Sequence, residues 1–274
     1  MKRLVILLSF SLLATGCAQV FDSNLFTTVD KPPKLSISTS ASVAEIQAKM
    51  KDSSFYTALK SDPTALSNTQ TALASQYSTT ALADATTTEK KAAVVDAATT
   101  AIVVTAKATD VGPLVTQVAN NLPNIIDSVN ASSGADFGAV MTAFLGDKKD
   151  DTAYITSTLT QLAAMNDAFN AMQTASTSGT TVDTSSFFAS TTDPTAPVDK
   201  VGLAQLAILS AAAAAIVADN TDPATAAAAL VAGTGLNTNG TAVTDLQNAQ
   251  NGTDTSSTNP YAYFATATGK IPGL

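Results

Sequence analysis

The chain contains no histidine, no tryptophan, a single cysteine at position 17 and a single arginine at position 3. Each absence removes a chemistry. Without imidazole there is no Ser-His-Asp triad, no histidine general base and no histidine-ligated metal. One thiol cannot build a disulfide framework. With its only arginine at position 3, the body lacks the planar fork that grips phosphate and carboxylate groups bidentately. No lysine has a serine three positions before it, which removes the Ser-x-x-Lys nucleophile. Phosphate loops of the GxxxxGK type are missing, and "GTGLNTNG" at 233–240 does not fit the dinucleotide-binding glycine pattern. The lack of tryptophan also removes the best platform for stacking a sugar ring. Charge itself is scarce, at 13% of residues, and it is acidic, with 14 basic residues against 22 acids and a net charge of −8. Nucleic acid and anionic lipid surfaces are both repelled by such a chain.

What remains is apolar and neutral-polar. Hydrophobic residues make up 45% of the 274 positions, most of them alanine and valine. A disordered chain needs low hydrophobicity and high net charge, so this composition predicts a folded body. Its surface has to be built from Thr, Ser, Asn and Gln. The length suffices for one large domain or two smaller ones.

The N-terminus has its own order. Lys2 and Arg3 precede an apolar run from Leu4 to Ala14, and small residues Thr15 and Gly16 lead into Cys17. This is the arrangement of a secretory signal, too short to span a bilayer as a mature helix. The cysteine directly after the small-residue boundary resembles the lipobox of bacterial lipoproteins, with Ala14 where that family prefers leucine. The resemblance covers about the first 18 residues. It implies cleavage before Cys17, a diacylglycerol thioether on its sulfur and acylation of the new amine. In that family an aspartate after the cysteine retains the protein at the inner membrane. Ala18 stands there instead, which implies the outer membrane. Cleavage would take Lys2 and Arg3 from the 14 basic residues and leave 12 against 22 acids.

Beyond Cys17, residues 17–41 contain Pro32-Pro33, lack helical periodicity and read as a lipid-anchored tether. Residues 42–175 read as the main helical domain. Ser42 and Glu45 fit a capping box ahead of Ile46 and Met50. "SSFYTALK" predicts a short helix using Phe55, Tyr56 and Leu59. Asp62-Pro63 opens a helix whose Leu66, Leu73 and Tyr77 recur at helical spacing. Thr86 with Glu89 fits another capping box. Asp110 precedes a segment containing Pro113, Pro123 starts "NIIDSV", and Asp136 opens a helix that Gly146 stops. The clearest helix covers 151–175, with Thr158, Leu162, Met165, Phe169 and Met172 forming a narrow core seam. Residues 176–198 are a Ser/Thr-rich junction around Phe187-Phe188. Residues 199–250 hold the C-terminal helices, opened by Asp199 and by Asp222-Pro223, with a last short helix at Val243 and Leu246. Residues 251–274 form a tail around Tyr261 and Tyr263. The fold is expected to be all-α, an irregular bundle or array of antiparallel Ala-rich helices.

Three further features have plain readings. The uncharged stretch 201–218 lies at the lower edge of membrane-spanning length. Its alanine content and Gln205 favour a helix buried in the bundle over a second membrane contact. Asp147, Asp150 and Asp151 alternate with Lys148 and Lys149 at a spacing that matches no calcium loop, and read as a solvated turn capping the next helix. Asn239-Gly and Asn251-Gly read as turns, and Asn130 carries no weight as a glycosylation acceptor in a bacterial lipoprotein. A carboxylate pair is the remaining catalytic option, but the acids fall at caps and loops. The chain is therefore expected to be no enzyme and to need no cofactor. Its site residue is Cys17, the point of lipidation and of membrane attachment in the cell envelope. The body is expected to act as an adaptor, structural or binding module for a protein partner. The alternative is a receptor holding a small apolar or lipid ligand between helices.

Overall fold

A computed structural model describes residues 35–114, 145–176 and 200–233, and the regular elements among these described residues are helical. The α-helices are α1 (Val43–Met50), α2 (Phe55–Ser61), α3 (Pro63–Gln76), α4 (Thr79–Asp84), α5 (Thr88–Ala108), α6 (Thr152–Ser176), α7 (Lys200–Asp219) and α8 (Pro223–Val231). A 3-10 turn, Gly146–Lys148, precedes α6. The architecture is an irregular all-helical bundle, as expected. The leader, Cys17, Pro32-Pro33, the Pro123 segment, Asp136, most of 176–198, Asp199, Val243, Leu246 and the tail lie outside the described residues, as do Asn130, Asn239 and Asn251.

Caps set most of the boundaries. The Ser42 hydroxyl accepts from the Glu45 amide and the Glu45 carboxylate accepts from the Ser42 amide, a complete capping box. Asp62 accepts from the amides of Thr64 and Ala65, with Pro63 at the first helical position. Asp222 and Pro223 repeat that device at the start of α8, the acceptor serving Ala224 and Thr225. Asp151 accepts from the Tyr154 amide at 3.0 Å and so opens α6. One boundary differs from expectation. The N-cap of α5 is Thr87, which accepts from the Lys90 amide, so Thr86 and Glu89 form no capping box. Glu89 instead bonds the Thr87 hydroxyl.

The described residues form two compact units, one of 35–110 and 167–176, the other of 111–114, 145–166 and 200–233. In the first, α3 packs chiefly on α5, and α1, α2 and α4 also meet α5. Its interior holds Ile46, Phe55, Leu59, Leu73, Ile102, Val104, Phe169 and Met172. The buried face of α3 consists of Ala65, Thr69, Ala72 and Leu73, while Leu66 and Tyr77 are half-buried. Small side chains therefore carry the closest α3 packing, which lets the backbones approach. The second unit pairs α7 with α8 and buries Ile155, Leu159, Leu162, Met165, Leu206, Ala207, Ala213, Ala226, Ala227 and Leu230. All five seam residues of α6 are buried, Thr158, Leu162 and Met165 in one unit and Phe169 and Met172 in the other.

Four buried hydroxyls bond within their own helices. Thr69 donates to Ala65 O, Thr99 to Val95 O, Thr100 to Asp96 O and Ser210 to Ala207 O, at 2.7–2.9 Å. This back-bonding one turn earlier lets a chain rich in Thr and Ser bury these hydroxyls with their donors satisfied. Among the described residues no helix is long and apolar enough to cross a membrane. In the 201–218 stretch, Leu206, Ala207, Ser210, Ala211 and Ala213 are buried.

Candidate functional site

The one site residue expected from the sequence, Cys17, lies outside the described residues, so the polar groups of the body have to be judged by themselves. The most enclosed carboxylate network joins α1 to α5. Gln47 Nε2 donates to Asp96 Oδ1 at 2.9 Å and to Thr100 Oγ1 at 3.0 Å. Burial pushes the Asp96 carboxyl above its ordinary value, and the Gln47 hydrogen bond partly offsets this. The Gln47 amide orients the carboxylate but exchanges no proton with it near neutral pH, and the Thr100 hydroxyl donates to the Asp96 backbone carbonyl. The arrangement ties two helices together and supplies no acid–base pair. The sequence reading missed this network. Its signal was an aspartate in the middle of the apolar run "AAVVDAATTAIVV".

At the end of α5, Lys107 Nζ lies 5.1 Å from the centroid of the Tyr56 ring, and Tyr56 meets Phe55 edge-on at 5.3 Å. Burial lowers the Lys107 pKa and raises that of Tyr56 to about 12. Lys60 pairs with Asp110 at 3.0 Å, both about half exposed. Tyr77, at the C-terminal end of α3, is also pushed to about 12, by burial first and then by the charge of Asp167. A phenol held this far above neutrality is a poor proton shuttle, and these contacts read as packing with a polar edge.

The Gly146–Asp151 turn uses its acids locally. Lys149 pairs with Asp150 at 2.6 Å and Lys148 with Asp151 at 3.3 Å, while Asp151 also caps α6. Lys148 sits 5.8 Å from the Tyr154 ring centroid. Hydrogen bonds from the Tyr154 amide and Lys148 hold the Asp151 carboxyl below its ordinary value. Two lysines competing for the carboxylates oppose a divalent cation there. Among the described residues no group of three or more potential metal ligands occurs.

A second polar cluster holds backbone. Asn68 Nδ2 donates to Ile37 O at 3.0 Å, and Gln76 Nε2 donates to Ala41 O at 3.1 Å. Gln76 Oε1 also accepts from the Val43 amide at 3.4 Å. Ile37 is 5% exposed. The last residues of the 17–41 segment are thus part of the helical body. No family model, curated protein or solved structure matches this chain.

Proposed function

We propose that this chain is a bacterial envelope lipoprotein, anchored through a lipid on Cys17, whose all-helical body works as a non-enzymatic adaptor, structural or binding module. The observation that carries the reading is the leader: a basic end, an apolar run and Gly16-Cys17 in that order. A thioether-linked lipid also gives a use to the single cysteine of an exported chain. The body supports the non-enzymatic part. Among the described residues, Asp62 and Asp222 serve as helix caps, Asp96 helps tie two helices together, and hydroxyls such as that of Thr99 bond to carbonyls of their own helices. Ala18 favours the outer membrane as the destination.

Labelling with an alkyne analogue of palmitate in the producing bacterium tests the reading. The wild-type protein is expected to take up label, and Cys17→Ala is expected to lose essentially all of it. Equal labelling of the two would refute lipidation at this residue.

A further inference from the structure

The segment between tether and body has a construction that the lipid alone does not explain. Residues 37–41 belong to no helix, yet Ile37 is buried and two α3 side chains grip this segment by its carbonyls. Asn68 and Gln76 stand eight residues apart on α3, so the two grips are separated by about 12 Å along the helix. Between them the chain closes a turn, with the Ala41 amide donating to Ser38 O at 3.0 Å and the Ser40 amide donating to Ser38 Oγ at 3.2 Å. The Gln76 amide group spans the join to α1, donating to Ala41 O and accepting from the Val43 amide. Immediately afterwards the Ser42–Glu45 capping box starts α1.

We propose that residues 37–41 form a releasable strap on α3, a separate opening unit that sets how far the body stands from its anchor. Among the described residues it is held by one buried isoleucine and two neutral amides, set against a dense apolar interior around α5. Segments held by few buried apolar contacts open far more often than the core does. Closed, the strap leaves 19 residues between Cys17 and Ile37, a contour of at most about 65 Å. Open, it adds five residues, about 17 Å more. The strap itself is independent of the lipid, whereas its bearing on reach rests on anchoring at Cys17.

Hydrogen exchange on the full-length protein, read over residues 35–43 and separately over α5, tests this without reference to lipidation. In the wild type, 35–43 should be protected but exchange at least about tenfold faster than the α5 core. The double variant Asn68→Ala/Gln76→Ala should accelerate 35–43 by about another tenfold and leave α5 unchanged. Three results would overturn the strap: no protection of 35–43 in the wild type, exchange at the α5 rate, or a double variant that leaves 35–43 as it was. Acceleration of α5 together with the strap would overturn it as well, because the two amides would then hold the bundle as a whole.

Discussion

At the scale of single residues, the body runs on hydroxyls, amides and caps more than on ion pairs. The ion pairs Lys60–Asp110, Lys148–Asp151 and Lys149–Asp150 are all solvent-exposed, and such pairs contribute little. Asp96 is the instructive exception. Its folded pKa is raised by burial, so the folded chain holds its proton more tightly than the unfolded chain. Its contribution is fully present below the ordinary aspartate value and is lost as pH rises through the raised folded value. Asp96→Asn keeps an acceptor for Gln47 and removes the buried charge. The variant is expected to have a slightly higher urea midpoint at pH 7, the gain kept small because solvent screens the half-exposed carboxylate, with the gap closing near pH 3. A wild type that is the more stable protein at pH 7 would mean that charge-assisted bonding outweighs burial. The caps have the opposite sign. Hydrogen bonds from Ser42 hold the Glu45 carboxyl low, and bonds from Thr225 do the same for Asp222. Their contribution is present above the ordinary carboxylate values and lost as pH falls through the depressed folded ones.

At the scale of elements, the helix ends differ in how well their sequences suit them. Helix α8 ends with Gly233 at φ 74°, a left-handed position that glycine adopts without strain. Helix α7 ends in the same way, but the residue after Asn220 is Thr221, at φ 77°. A β-branched side chain is strained there. Thr221→Gly is expected to raise stability by about 1 kcal/mol, seen as a higher urea midpoint with an unchanged helical circular dichroism signal. A lower midpoint would show that the Thr221 hydroxyl, 3.4 Å from Asp222, matters more than the backbone.

The Asp-Pro starts and the α6 seam were legible because they rest on sharp contrasts, a proline fixed at the first turn and large apolar residues at spacings of 4, 3, 4 and 3. The start of α5 was misread by one residue because Thr86, Thr87 and Thr88 are equivalent cap candidates. On α3, Leu73 is buried and Leu66 and Tyr77 half-buried, while Ala65, Thr69 and Ala72, which stand out little in the pattern, complete the buried face. Grips such as Asn68 on Ile37 O carry no periodic signal, since a side chain reaching distant backbone leaves no spacing to read. The proposed site, Cys17, rests on the order of residues in the leader and not on the fold.

At the scale of the whole molecule, the proposal makes two separable parts of the chain, an anchor at Cys17 and a helical body. Val231, at 38%, is the large apolar side chain left exposed among the described residues, and the buried ones line helix interfaces. Scattered single apolar residues of this kind are ordinary for a protein surface. The stretch 201–218 decides the matter. It is apolar enough to suggest a membrane, yet Leu206, Ala207, Ala211 and Ala213 are buried within the protein, Ala213 at 4% exposure. The most direct measurement is to export residues 18–274 behind an ordinary cleavable signal peptide and separate soluble from membrane fractions. With the leader and Cys17 gone, a folded helical protein is expected in the soluble fraction. Retention in the membrane that resists carbonate extraction would contradict it, by showing that the body inserts without its lipid.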